Sequence, residues 1–362
     1  MQDNTETTET TETIDTKVIR VDAAHPDPAV IERAAQLMRG GQVVVFPTET
    51  VYGLGADAFQ PAALERIFAA KGRPFSDPLI VHIADQSWLK HLTSSIPESA
   101  RRLADAFWPG PLTLILPRSP RVPSLVTAGL ETVAVRMPRH SVALALIGAL
   151  GSPVAAPSAN RFMHVSPTSA QHVFSDLGGR VPLILDGGPC DVGVESTVLN
   201  LCSETPIILR PGGVSLEELR SVLPEVQPPA PRQPLQSDDA AQVAPGQLMT
   251  HYSPAVPLLL FDGSPEKMRA AMREELRRRQ AKGETVGVLV ADEDVPTFEG
   301  ALVYSLGDAA NPARIANGLF AGMRALEEAS VSVILCRNFE NAGLGLAIRD
   351  RLLKAAGGKI IA

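Results

Sequence analysis

Two short stretches of this chain carry groups suited to gripping an anion. Lys71-Gly72-Arg73-Pro74 runs towards the apolar Pro78-Leu79-Ile80-Val81-His82-Ile83, and Ser158-Ala159-Asn160 follows Pro153-Val154-Ala155-Ala156-Pro157. Charge beside a buried strand is costly without a partner. Two cations at one strand end and a hydroxyl–amide pair at another suit an anionic, hydrogen-bonding ligand such as a nucleoside triphosphate. The dipole of a helix C-terminus would by itself accommodate Lys71. It does not account for Arg73, which continues through Pro74 towards a strand and whose planar fork fits phosphate or carboxylate.

Other polar groups gather at comparable places. Phe46-Pro47-Thr48-Glu49-Thr50-Val51-Tyr52-Gly53-Leu54-Gly55 puts hydrogen-bonding side chains at a strand end, followed by glycines that permit close backbone approach. A turn whose threonines satisfy the local backbone would carry the same residues. Arg136 closes Thr132-Val133-Ala134-Val135-Arg136 and, inside a strand, needs a carboxylate from the protein or from a ligand. His82 stands alone in an apolar strand, with no second ligand at metal spacing, and reads as a satisfied core residue. Ser166-Pro167-Thr168 fits a helix N-cap, Glu195-Ser196-Thr197 enters a strand, and Arg210-Pro211-Gly212-Gly213 is a cationic turn able to hold a second phosphate. Each is explicable singly. Their shared position, at the ends of apolar runs, is where α/β sheets keep ligands. Arg139 and His140 read as surface residues. Neither a Gly-x-x-x-x-Gly-Lys-Ser/Thr loop nor a Gly-x-Ser-x-Gly elbow occurs, so P-loop and α/β-hydrolase mechanisms lose support.

The elements that must place these groups alternate. Runs at 43–46, 79–83, 112–116, 133–136, 183–186, 197–201 and 207–209 read as strands; 28–39, 61–70, 97–107, 142–150, 169–177 and 215–222 read as helices. Interleaving of this kind gives an α/β layer architecture, and short connections such as Asp186-Gly187-Gly188-Pro189 make the sheet mixed. A second set follows, with strands at 258–261, 286–291, 302–306 and 331–336 and helices at 265–282, 313–329 and 346–356. It reads as a small doubly wound domain without a dinucleotide fingerprint, and Gly343-Leu344-Gly345 as a loop. The expected division is a disordered Thr/Glu tail at 1–17, a catalytic domain at 18–224, a linker and active-site lid at 225–254 and a Rossmann-like domain at 255–362.

Bulk composition narrows the function. A net charge of −7 and only 4% aromatic residues argue against a globally basic nucleic-acid binder and against a platform of stacked bases. Cys190, Cys202 and Cys336 form no Cys-x-x-Cys pair, which supports neither a disulfide framework nor a zinc knuckle and points to a reduced, cytoplasmic protein. No apolar stretch approaches the ~20 residues that span a bilayer, so no membrane association is expected. The polar, acidic start does not read as a signal peptide.

With these residues assembled, the chain resembles the threonylcarbamoyl-adenylate synthases in their long form, a YrdC-type domain followed by a C-terminal extension. The resemblance rests on Pro47-Thr48-Glu49-Thr50-Val51-Tyr52-Gly53-Leu54, Lys71-Gly72-Arg73-Pro74, Pro78-Leu79-Ile80-Val81-His82 and Trp108-Pro109-Gly110-Pro111-Leu112-Thr113. It continues through Ala134-Val135-Arg136-Met137-Pro138, Ala156-Pro157-Ser158-Ala159-Asn160, Glu195-Ser196-Thr197-Val198 and Leu209-Arg210-Pro211-Gly212, in order. His251-Tyr252-Ser253-Pro254 and Arg351-Leu352-Leu353-Lys354-Ala355-Ala356 extend it to the C-terminus.

The resemblance implies a twisted mixed sheet around a concave cavity, then a linker and a small Rossmann-like domain. It implies that L-threonine, bicarbonate and ATP give threonylcarbamoyl-adenylate and pyrophosphate, and that a partner complex passes the threonylcarbamoyl group to tRNA. By the family's pattern Thr50, His82, Arg136 and Ser196 hold threonine, with a backbone contact from Ala156. Lys71, Arg73, Thr132, Ser158, Asn160, Ser166 and Arg210 line ATP, and Tyr252 reaches over it from the linker. The family commonly has Asn where this chain has Asp77, also on the ATP side. An ionised carboxylate repels phosphate, so Asp77 is expected to turn away, to contact a cation or to sit by the sugar.

Catalysis on this reading is positioning and electrostatics. Lys71 and Arg73 are the catalytic pair, offsetting charge on the phosphates with Arg210, while Arg136 aims the threonine. Mg2+ is carried by the nucleotide, since no carboxylate cage is apparent. Two alternatives stand beside it: a carbamoyltransferase built on the same module, and a non-catalytic double-stranded-RNA-binding module. The first normally carries zinc-finger cysteines or further domains, and the second sits poorly with the acidic total. A direct contact with tRNA is left open.

Overall fold

The computed structural model describes residues 14–230 and 252–361. The Thr/Glu tail up to residue 13 and most of the expected linker, His251 included, lie outside the described residues.

The expected catalytic domain is built on ten strands: β1 (Lys17–Arg20), β2 (Val44–Phe46), β3 (Gly53–Asp57), β4 (Ile80–His82), β5 (Leu112–Pro117), β6 (Thr132–Arg136), β7 (Val154–Ala155), β8 (Leu183–Asp186), β9 (Thr197–Asn200) and β10 (Ile207–Arg210). They form one sheet in the order β1-β8-β2-β3-β7-β4-β6-β5-β9-β10. It is mixed, as expected. The β4/β6 and β5/β9 pairs are parallel, while β3, β7 and β10 run antiparallel to their neighbours.

Both faces are covered, which is why the central strands read as continuous apolar runs. On one face lie the helices Pro28–Arg39 and Ser141–Leu150. The first buries Ile31, Ala34, Ala35 and Met38, one stripe at helical spacing, and starts where the Asp27 carboxylate accepts from the Ala29 N–H. Helices Pro61–Lys71 and Glu98–Phe107 pack their apolar sides into the core on the other face.

The second domain is a five-stranded parallel sheet of β11 (Leu258–Phe261), β12 (Val286–Val290), β13 (Leu302–Ser305), β14 (Val333–Arg337) and β15 (Ile360–Ile361), ordered β13-β12-β14-β11-β15. Its core does not stop at the domain boundary. Val51, Val165 and Val194 of the catalytic domain join Leu319, Phe320 and Met323 of the helix Pro312–Glu328 in one apolar cluster. Among the described residues no helix is long and apolar enough to cross a membrane.

Three boundaries differ from the sequence reading. Order starts before Val18, because the Ile14 N–H already donates to Gly179 O and Lys17 opens an edge strand. The edge position explains the missed signal, since Lys17, Val18 and Arg20 are exposed and show no alternation. The catalytic domain also runs past residue 224: Val226 is buried and Gln227 pairs with Ile207. Gly345 opens the helix Gly345–Ala355 and is not loop.

Candidate active site

The sheet's register gathers the polar groups at one place. β4 and β6 are parallel, so their C-terminal ends coincide and His82 lies opposite Arg136; β5, antiparallel to β6, sets Thr113 against Arg136 from the other side. The loop after β2, the turn after β7 and the start of β9 converge on the same point. They enclose a cavity of about 50 Å3 lined by Thr50, Arg73, His82, Arg136, Ala156, Ser158, Ser196, Arg210 and Tyr252, together with Thr48, Gly53, Ile80 and Glu195.

One side of the cavity is organised around Arg136. Its Nη1 donates to Thr50 Oγ1 at 2.9 Å and its Nε to Gly110 O at 3.2 Å. Its Nη2 lies 2.8 Å from the buried Glu49 carboxylate, close but not in hydrogen-bond alignment. The carboxylate this strand arginine needs thus comes from the protein, and Nη2 keeps donor capacity. Thr50 is held in turn by Thr48, hydroxyl to hydroxyl at 2.8 Å, and Ser196 by Thr113 at 2.7 Å. His82 belongs to the core, as its strand suggested, and also faces the cavity. Its Nδ1 meets Ile80 O at 3.2 Å and so carries the proton. Burial, then the charge of Arg136, lowers its pKa to about 3. A neutral imidazole with so low a pKa is a wall of the pocket and a poor general base near pH 7.

The other side is cationic. Helix Pro61–Lys71 ends at Gly72, whose φ of 65° is the left-handed turn that glycine adopts without strain, and this turn sends Arg73 towards the cavity. Arg73 then folds back on its own loop. Nε donates to Asp77 O at 3.2 Å and Nη2 to Pro78 O at 2.7 Å, with Asp77 Oδ2 at 3.0 Å from Nη2. Asp77 is therefore the internal counter-anion of Arg73. Burial raises its pKa and depresses that of Arg73. Arg210 is set by Ser196, donating to its carbonyl through Nε at 3.2 Å and through Nη2 at 2.9 Å.

Several sequence candidates stand behind the cavity wall and do not line it. Lys71 is buried, and its Nζ donates to Ser158 O at 2.6 Å and to Asn160 O. It ties the two opening motifs together from beneath, and burial followed by the charge of Arg73 holds its pKa well below the usual lysine value. Asn160 turns its amide to the carbonyls of Arg161 and His164. Ser166 donates to Glu195. Thr132 is half-buried at the start of β6, opposite Pro117.

Sequence reasoning missed Glu195 and Arg351 as parts of this site. Glu195 lines the cavity, yet it reads as an ordinary residue entering a strand. Burial alone would raise its pKa, but Arg351 and Arg210 hold it below the usual carboxylate range. Tyr252, at a φ of 65°, is buried between Phe320, stacked 5.7 Å away, and the cations of Arg351 and Lys354 over its ring.

Comparison with known proteins accords with this architecture. Residues 36–212 match the family model of Sua5, YciO and YrdC described as "Telomere recombination", and residues 214–357 match the "Threonylcarbamoyl-AMP synthase, C-terminal domain" model. The chain is similar to the threonylcarbamoyl-AMP synthase of Bacillus subtilis, 47% identical over 92% of this chain and 95% of the relative. It is similar also to that of Pyrococcus abyssi, 46% identical over 91% and 95%. The crystal structure of P. abyssi Sua5 complexed with L-threonine superposes with a TM-score of 0.89 at 44% identity, covering 95% of this chain and 99% of that one.

Proposed function

The chain belongs to the threonylcarbamoyl-AMP synthase family, and on that premise we propose that it condenses L-threonine, bicarbonate and ATP into threonylcarbamoyl-adenylate, pyrophosphate and water. The observation that carries this reading is the division of one cavity between a pre-set Arg136 with Thr50 and His82, and a cationic wall of Arg73 and Arg210.

Threonine takes the first side. Arg136, fixed by Glu49, Gly110 and Thr50, pairs with its carboxylate and so aims its amine at bicarbonate, an entropic advantage. His82 stays neutral and leaves the amine unprotonated by the protein. ATP takes the second side, where Arg73 and Arg210 face the phosphates and Ser158 the nucleoside. The amine adds to the bicarbonate carbon and water leaves, giving the carbamate; as a carbamate oxygen attacks the α-phosphorus, pyrophosphate leaves with the bonding pair, and the two fixed guanidinium groups offset its charge. Lys71 contributes by holding the Ser158–Asn160 loop, with no direct grip on phosphate. Ser166 and Asn160 support the same wall. Magnesium is assigned to the triphosphate itself, because the carboxylates beside the cationic wall are already paired, Asp77 with Arg73 and Glu195 with Arg351.

A cavity of about 50 Å3 has room for only a few waters. The cavity is partly open to solvent, so the nucleotide can extend outwards from it, and Tyr252, which lines it at the exit of the linker, is the residue assigned to exclude water from the labile product. Threonylcarbamoyl-adenylate passes to a separate complex that modifies tRNA. The three unpaired cysteines support a reducing, cytoplasmic setting.

The test is pyrophosphate release from ATP with threonine or bicarbonate omitted in turn. Release should require both. Release that persists without either would overturn the reaction proposed.

A further inference from the structure

The side chain of Arg351 starts on the helix Gly345–Ala355 of the C-terminal domain and ends against the catalytic domain, fully buried. Its Nε donates to Glu195 Oε2 at 2.7 Å and its Nη2 to Pro211 O at 3.1 Å, while Nη1 donates to Asp350 on its own helix. The guanidinium carbon lies over the ring of Tyr252, 4.9 Å from its centroid. All three nitrogens are engaged, and two of them hold different loops of the other domain.

Those two loops belong to the cavity. The first carries Glu195, which faces the cavity and whose second oxygen accepts from Ser166. The second follows Arg210 directly. They also touch each other closely, since a Cβ on Gly212 would lie 2.3 Å from Glu195 O. A planar fork with two parallel donors holds a carboxylate on one loop and a carbonyl on the next at one separation; an ammonium bridges two acceptors, as Lys71 does, only where both reach the same nitrogen. Burying a guanidinium is costly, and cohesion alone is better served by apolar side chains.

We propose that Arg351 is a positioning residue for the nucleotide. Through this side chain the C-terminal domain sets the gap between the Glu195 and Pro211 loops, and with it the placement of Ser166 and Arg210 against ATP. Arg351 touches no reacting atom. Thr50, His82 and Arg136, at the ends of other strands, make no contact with it, and Ser196, the threonine-side residue next to Glu195, is held separately by the Thr113 hydroxyl at 2.7 Å. The inference rests on the assignment of Ser166 and Arg210 to the nucleotide.

The experiment uses the full chain. Pyrophosphate release is measured with ATP and threonine varied separately, and L-threonine binding without nucleotide by calorimetry. Arg351→Met should raise the KM for ATP roughly tenfold to a hundredfold, the scale of a misplacement of about 1 Å. Threonine affinity should stay within about threefold of the parent. Arg351→Lys, which keeps the charge but not the fork, should show the same split at smaller amplitude, and carries the test alone if the Met variant does not fold. The double variant Glu195→Gln/Arg351→Met removes the orphaned carboxylate and should still bind ATP poorly, because the Pro211 tie remains cut. Equal losses for ATP and threonine, no loss for either, or full rescue by the double variant would each overturn the proposal. Arg210→Ala is the separate control: an unchanged KM for ATP there would sink the nucleotide assignment itself.

Discussion

Arg73 and Lys71 sit two positions apart and do different work. Arg73 faces the cavity with its fork held by Asp77 and Pro78, whereas the Lys71 ammonium is spent on two carbonyls beneath the Ser158–Asn160 loop. Arg73→Ala combined with Asp77→Asn, which leaves no buried carboxylate unpaired, should stay folded and lose about 10- to 100-fold in kcat/KM for ATP, the worth of one or two charge-assisted contacts. Steady-state pyrophosphate release with ATP varied reads it. Lys71→Ala should instead lower the melting temperature along with activity, since each buried carbonyl left unpaired costs about 1–3 kcal/mol. A Lys71→Ala protein with parental melting and lost activity would return the lysine to direct phosphate contact. Chemistry of this kind was partly legible in the sequence. The residue types of Arg73, Arg136 and Arg210 announced anion contacts, and Arg136 announced a missing carboxylate. Which carboxylate was not legible, because Glu49 reaches it only through sheet pairing between distant strands.

At the level of elements, the helices and most strands were readable because burial on one stripe or on both faces leaves a periodic or continuous apolar signature. β3 and β7 were not. Gly53-Leu54-Gly55-Ala56-Asp57 has the composition of a loop, and Val154–Ala155 is too short to show alternation, yet both are buried between neighbours that supply their hydrogen bonds. The turn after β10 has a sharper requirement. A Cβ on Gly212 would meet Glu195 O at 2.3 Å and Thr197 N at 2.4 Å, all backbone, so nothing there can rotate away. Gly212→Ala should therefore push the Ser196 and Arg210 segments apart, at a cost of about 1–3 kcal/mol in overpacking. Lower melting temperature together with lost ATP affinity is the expected pair of readouts; parental values for both would show that the two loops can separate freely.

Across the whole molecule the two domains are locked by charge as well as by the shared apolar cluster. His164 bridges Asp176 at 2.9 Å and Glu327 at 3.1 Å, Arg324 pairs with Asp176 at 2.7 Å, and Glu327 also accepts from the Ala255 N–H where the second domain begins. Burial alone would lower the His164 pKa, but the hydrogen bonds to the two carboxylates outweigh it and raise the value to about 9 from 6.5. A raised histidine stabilises the folded state fully below about 6.5 and ceases to do so as pH climbs through about 9. The melting temperature of the full chain should accordingly fall between pH 7 and 10 by more than that of His164→Asn, and identical profiles would remove His164 from the clamp. None of this was visible in sequence, where the partners lie far apart and each looks like an ordinary surface charge. The same interface bears on what happens when the polypeptide is divided. Residues 1–230 alone would expose the Glu195 and Asp176 carboxylates beside an uncovered apolar patch, and residues 252–362 alone would expose Arg351 and Arg324. Each half is thus the other's counter-charge, and co-expressed fragments should reassemble into a working enzyme by complementation that added salt weakens little, because buried pairs are poorly screened.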